Sequence, residues 1–118
     1  MSYIEGFVIP VPLDKKEAYR IQAEKAAVIF KDLGATRIVE AWGDDLPDGK
    51  LTDFKRAVNA EAGETVVFAW IAYPSKAVRD EANRRMREDP RMEELGEMPF
   101  DGKRMIFGGF EVMLDSGA

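Results

Sequence analysis

Residues 65–73 read Thr-Val-Val-Phe-Ala-Trp-Ile-Ala-Tyr, and this run decides the fold because its β-branched and aromatic residues predict a strand. Three further strand patterns surround it, at residues 3–11, 36–42 and 103–114. The first is predicted to finish at Pro10 and Pro12, which cannot donate to a ladder. In the last, Gly108-Gly109 predicts a bulge or a close backbone approach. The chain therefore contains four predicted strands.

Two long helices are predicted between these strands. Asp14 and Glu17 form a capping-box pattern, which predicts a helix running to about Leu33. A second helix is predicted to begin after Ser75 and to break or restart at Pro90. Each helix lies between two strands, so strands and helices alternate along the chain.

The segment between the second and third strands is an insert at about residues 43–64. It is longer than an ordinary connection, so part of it is predicted to be ordered, with a short helix after Asp53. The order β-α-β-(insert)-β-α-β predicts a single α+β domain over residues 1–118. This is the ferredoxin-like order, an antiparallel four-stranded sheet with helices on one side.

Alternation along the strands predicts two different sheet faces. One face is predicted to collect small or branched residues beneath the helices, namely Ile4, Gly6, Val8, Val39, Ala41, Val67, Ala69, Ile71, Ile106 and Gly108. The other is bulkier and carries carboxylates, with Tyr3, Glu5, Phe7, Ile38, Glu40, Trp42, Phe68, Trp70, Phe107 and Glu111. Two helices cover only one side, so the second face predicts a homodimer with a barrel-like core between subunits. The alternative is that the insert folds back over this face in a monomer.

Composition excludes several classes of function. The 118 residues include 17 Lys+Arg and 22 Asp+Glu, and the net charge of -5 argues against a nucleic-acid partner. His and Cys are both absent, which excludes Ser-His-Asp and Cys-His catalysis, disulfides and the zinc sites built from imidazole or thiolate. The longest apolar run, residues 66–73, is far shorter than a membrane span, so we expect a cytoplasmic protein without a membrane partner.

Neither a metal nor another cofactor is expected. The acidic residues of the insert match no calcium-loop spacing and are typical of Asp-Gly turns. Residues 43–50 are not a phosphate-binding loop, because five residues rather than four separate the glycine from Gly49-Lys50 and Leu51 replaces the Ser or Thr. Haem ligation by imidazole is excluded because the chain contains no His.

Several long, irregular motifs identify a family resemblance that covers nearly the whole chain. They are IVEAWGDD (38–45), PDGK (47–50), TDFKRAV (52–58), ETVVFAW (64–70), PSKAVRD (74–80) and PFDGKRMI (99–106). These motifs resemble the YbaA-like family of uncharacterised bacterial proteins. The resemblance implies a dimeric α+β barrel of ferredoxin-like subunits and supplies no reaction.

Three glutamates are candidate catalytic groups. An apolar cavity would raise the pKa of Glu5, Glu40 or Glu111 and suit it to general acid or base work. The alternatives are pairing with an arginine (Arg37, Arg56 or Arg104) or an indole N–H across the dimer, or a position in water at the sheet rim.

Six aromatic residues are candidate ligand contacts, namely Tyr3, Phe7, Trp42, Phe68, Trp70 and Phe107. They could stack on a planar or apolar molecule between the sheets, or simply fill the core. Three hypotheses follow: a small-molecule-binding homodimer, a cofactor-independent enzyme that uses a buried glutamate, and a structural or interaction protein with no ligand pocket.

Overall fold

The computed structural model describes residues 2–117. Its strands are β1 (Tyr3–Pro12), β2 (Arg37–Trp42), β3 (Glu64–Tyr73) and β4 (Ile106–Glu111). Its α-helices are α1 (Lys16–Asp32), α2 (Phe54–Ala57), α3 (Lys76–Met86) and α4 (Pro90–Glu94), and a 3-10 turn at Leu13–Lys15 leads into α1. This order confirms the predicted α+β class and alternation, although β4 is shorter than the predicted 103–114.

Local signals identified most helix starts. Ser75 caps α3 by accepting from the N–H of Val78 at 3.2 Å, and Asp53 caps α2 by accepting from the N–H of Arg56 at 2.8 Å. The capping box predicted for α1 was wrong. Lys15 occupies the N-cap without a side-chain bond, because the chain enters α1 through the 3-10 turn, which the N–H of Leu13 ties to the Gly63 carbonyl at 2.8 Å.

The sheet has the order β2-β3-β1-β4, and every neighbouring pair is antiparallel. β1 lies between two strands, yet it contains Pro10 and Pro12. Both prolines are tolerated because β4 pairs only with the first part of β1, from Tyr3 to Val8, and leaves the later residues with one neighbour. The pairing of β4 with β1 is continuous through Gly108 and Gly109, so these residues form no bulge. The predicted close approach is present at Gly109, which lies against the Tyr3 side chain.

The helices cover one side of the sheet, called here the helix side. Two groups of buried residues form the core there. One joins α1, α3 and β3 through Ile29, Leu33, Ala82, Ile71 and Tyr73, and the other joins Tyr19 of α1 to Ile9, Val11, Val67 and Ala69. Among residues 2–117, no helix has the length and apolar character that crossing a membrane requires.

The register corrects the predicted division into faces. Glu5 and Ile38 both lie opposite Ile71, and Phe7 and Glu40 both lie opposite Ala69. Directly paired residues share a face, so β3 was assigned correctly and the other three strands were assigned to the wrong side. Tyr3, Glu5, Phe7, Ile38, Glu40, Trp42, Phe107 and Glu111 belong to the helix side, with Val67, Ala69 and Ile71.

The other side of the sheet, called here the open face, carries no long helix. Its residues include Ile4, Gly6, Val8, Arg37, Val39, Ala41, Phe68, Trp70, Ala72, Ile106, Gly108 and Phe110. The insert does reach this face, because Phe54 of α2 packs edge-on against Phe68 with ring centroids 6.1 Å apart. The cover is partial: Phe68 remains 49% exposed and Phe110 61%.

Candidate functional site

Glu5 is held in a closed polar cluster between β1 and α3. Its carboxylate is buried and accepts hydrogen bonds from the Arg79 guanidinium and the Asn83 amide, each at 3.3 Å. Arg79 also lies over the Tyr3 ring, 4.7 Å from its centroid, and donates to the Tyr3 hydroxyl. Glu5 is therefore paired, as one alternative anticipated, but its partner is Arg79 of the same chain.

The Tyr73 hydroxyl lies beside this cluster and has no hydrogen-bond partner among the described residues. Burial, followed by the negative charge of Glu5, raises the pKa of Tyr73 to about 12. Tyr73 and Glu5 are both buried, with 1% and 7% of their surface exposed. Glu5 lines neither of the two recesses described below.

Glu111 has a different environment, because it ends β4 in an exposed position. The three arginines proposed as partners for the glutamates are engaged elsewhere within the chain. Arg37 lies over Trp70, Arg56 pairs with Asp53, and Arg104 pairs with Glu64 at 2.7 Å.

Glu40 is the carboxylate best suited to proton transfer. It lies on the edge strand β2 and accepts a hydrogen bond from the Tyr19 hydroxyl at 2.6 Å. Although its side chain reaches solvent, surrounding protein atoms desolvate the carboxylate and raise the pKa of Glu40, and the bond from Tyr19 partly opposes this rise. Burial and the nearby Glu40 charge raise the pKa of Tyr19 well above its ordinary value, so Tyr19 remains a hydrogen-bond donor.

Glu40 lines a recess between α1 and β2, called here the edge groove, with a volume of about 400 Å³. Its α1 wall includes Ala23 and Ala27, one turn apart, whose small side chains leave space above the strand. Trp42 lines one end, where the Lys16 ammonium lies 5.6 Å from the centre of the indole. The groove thus combines apolar walls with a few polar groups, as small-molecule sites do.

A second recess lies on the open face and has a volume of about 580 Å³; it is called here the face hollow. Phe68 and Trp70 line it, and the opposed pair Phe7 and Phe107 borders it with ring centroids 6.2 Å apart. Four of the six predicted ligand contacts therefore meet here. Tyr3 and Trp42 do not line the hollow; they lie on the helix side, as do Phe7 and Phe107, both of which border the hollow.

Sequence reasoning assigned four apolar residues of the face hollow to neither sheet face. They are Phe110, Val112, Met113 and Leu114, the last three following the end of β4. The alternation Ile106-Gly108-Phe110 could have identified the first, since these residues share a face. No local pattern indicates that the tail passes beside the sheet, which depends on a bond from the N–H of Val112 to the Ser2 carbonyl at 3.2 Å.

No metal-binding arrangement was found in the described part of the chain, where no three carboxylates gather closely enough to hold an ion. One acidic residue of the insert, Asp53, has a role in local structure. Asp53 binds the N–H of Gly49 and the Arg56 side chain, which holds the turn before α2.

Comparison with solved structures finds a similar fold. The structure of Rv0793 from Mycobacterium tuberculosis matches with a TM-score of 0.50, covering 99% of this chain and 100% of that chain. Sequence identity between the two is 14%, so the likeness extends to the fold alone.

Comparison of sequences identifies much nearer relatives. The uncharacterized protein YbaA of Escherichia coli (strain K12) is 65% identical over 116 residues, which cover 98% of this chain and 99% of the relative. YbaA of Shigella flexneri matches to the same extent. Residues 2–102 match the family described as "Protein of unknown function (DUF1428)". The resemblance to YbaA proteins is thereby confirmed, and the chain belongs to the DUF1428 family.

Proposed function

We propose that the protein is a cytoplasmic homodimer in which two open faces pack together, giving an α+β barrel of ferredoxin-like subunits that encloses a small apolar or planar molecule. The observation that carries this proposal is the open face itself, with Phe68, Ile106 and Phe110 each 45% or more exposed. Clustered apolar exposure of this kind marks an interface. The strand order and the one-sided helices support the ferredoxin-like assignment.

The open face is large enough for a dimer interface once residues 112–114, which follow β4, are included. Four strands about 4.8 Å apart span roughly 19 Å, and the six-residue edge strands are roughly 20 Å long, giving a footprint near 400 Å². A standard interface needs about 800 Å² from each partner. Met113 and Leu114, which are 93% and 80% exposed beside the face hollow, would supply much of the difference.

Assembly is tested with two apolar-to-Asp substitutions at equally exposed positions. Phe110 on the open face is 61% exposed and Val28 on α1 is 60% exposed. Sedimentation at micromolar concentration should show a dimer for the wild type and for Val28→Asp, and a monomer for Phe110→Asp, because the new charge would be buried between sheets. A monomeric wild type would refute the assembly.

Ligand binding is tested by filling the face hollow. A Cβ at Gly108 would meet only ordinary contacts, 3.8 Å from the Phe110 ring, so Gly108→Leu adds a side chain without backbone strain. The fluorescent probe 1-anilinonaphthalene-8-sulfonate should bind the wild type and the control Gly102→Leu, whose site is open, and should bind Gly108→Leu much more weakly. A dimer that binds no probe would instead favour the structural hypothesis.

A second candidate function is cofactor-independent acid–base catalysis, and Glu40 is the observation that favours it. Its pKa is raised by desolvation, it is oriented by Tyr19, and it opens to the edge groove. Glu5 is already paired with Arg79, and neither Glu5 nor Glu111 lines the edge groove.

This candidate is tested by NMR titration of the side-chain carboxyl carbons, with Glu40→Gln used to assign the signal. Glu40 should titrate above 4.5, its ordinary value. Tyr19→Phe removes the bond that favours the charged form, so it should raise the pKa of Glu40 further. Titration of Glu40 at its ordinary value in both proteins would remove the physical basis for catalysis.

A further inference from the structure

We propose that the edge groove binds a small aromatic carboxylic acid that also carries a hydroxyl or amine hydrogen-bond donor. The groove lies on the helix side, whereas the proposed dimer uses the open face. The inference therefore goes beyond the inter-sheet site and does not depend on it. It concerns what the groove holds, whether or not Glu40 transfers a proton.

The shape of the groove favours a single flat ring. α1 runs along β2, with Lys16 near Trp42 and Tyr19 bonded to Glu40. Ala23 follows Tyr19 by about one turn and leaves the space over the strand that a larger residue would fill. The Trp42 indole supplies a flat aromatic wall at one end, suited to stacking.

Glu40 calls for a hydrogen-bond donor on the ligand. Tyr19 donates to its Oε1 atom, and no other hydrogen bond to this carboxylate was found within residues 2–117. The Oε2 atom thus remains to accept from a ligand. A carboxylate in partly desolvated surroundings gains more from such a bond than it would in water.

The positive charges around the groove favour an anionic group on the ligand. Of the cations lining it, Arg20 is engaged by Glu17 and Glu24, each at 2.5 Å. Lys16 and Lys31 have no ion-pair partner in the part of the chain that the structure describes. Lys16 lies over Trp42, which follows Glu40 by two residues, about 6.6 Å along β2. One ring can therefore place its donor at Glu40 and its carboxylate at Lys16.

The test uses 4-hydroxybenzoate as the probe, titrated into the ¹⁵N-labelled full chain while the Trp42 indole signal is followed. The analogues 4-methoxybenzoate and 4-hydroxybenzamide lack the donor and the negative charge, respectively. Each is expected to bind about tenfold more weakly, because a charge-assisted hydrogen bond or an ion pair is lost.

Three variants separate the groove from the surface. Lys16→Met should weaken 4-hydroxybenzoate about tenfold and leave 4-hydroxybenzamide nearly unchanged, while the control Lys76→Met on α3 should alter neither. Ala23→Leu fills the groove and should abolish binding of both. Lys16 is exposed, so its replacement keeps the test valid even if Ala23→Leu disturbs the fold.

The inference is overturned if 4-hydroxybenzoate at millimolar concentration leaves the Trp42 indole signal unchanged. It is also overturned if Lys16→Met binds 4-hydroxybenzoate as tightly as the wild type does, and the wild type binds both analogues as tightly as 4-hydroxybenzoate. Sedimentation of the same samples separates this result from the proposed assembly. A monomer with an intact groove site would refute the dimer alone, and a dimer without groove binding would refute the groove site alone.

Discussion

Replacing Arg79 with Leu is expected to destabilise the protein strongly. The Arg79 and Glu5 side chains are 15% and 9% exposed, and their charged groups are 3.3 Å apart. Removing one partner of a buried pair typically costs about 3–5 kcal/mol, because the other charge stays buried without compensation. The contact between Arg79 and the Tyr3 ring accounts for about 0.5–1 kcal/mol of this loss.

The assay is urea unfolding followed by circular dichroism, with two further variants. Arg84→Leu makes the same change on the same helix, but its pair with Glu81 is exposed, so a much smaller loss is expected. The double variant Glu5→Met/Arg79→Leu removes both charges and should recover about 2 kcal/mol of the single-variant loss. If Arg79→Leu lowers the free energy of unfolding no more than Arg84→Leu does, Glu5 is not a buried charge that needs Arg79 to compensate it.

Two further predictions concern other contacts. The hydrogen bond from Arg104 lowers the pKa of Glu64, so their pair stabilises the fold above the ordinary glutamate pKa and loses its effect as the pH falls through the lower native value. Urea midpoints of Arg104→Met and wild type should therefore differ at pH 7 and converge in acid; a constant difference would contradict this linkage. Gly109→Ala should cost about 1–3 kcal/mol in thermal unfolding, because its Cβ would lie 2.2 Å from the Tyr3 hydroxyl, whereas Gly102→Ala, in open space, should match the wild type.

The candidate site was only partly predictable from the sequence. Glu40 could be singled out as a carboxylate among apolar residues, but its partner Tyr19 is 21 residues away, and no local pattern joins them. The expected meeting of Trp42 with Trp70 was wrong, because the register places them on opposite sides of the sheet. The edge groove likewise depends on α1 alanines lying over β2, a contact between elements.

The sequence by itself determined the α+β class, the order of the elements and the starts of α2 and α3. These features depend on neighbouring residues: β-branched runs, capping side chains such as Ser75, and helical spacing all act within a few positions. Only the tertiary structure decided which side of the sheet the helices cover. Alternation tells which residues of one strand share a side. Which side of one strand matches which side of the next is set by long-range pairing, such as Glu5 opposite Ile71. A shift of this pairing by one residue would exchange the two faces.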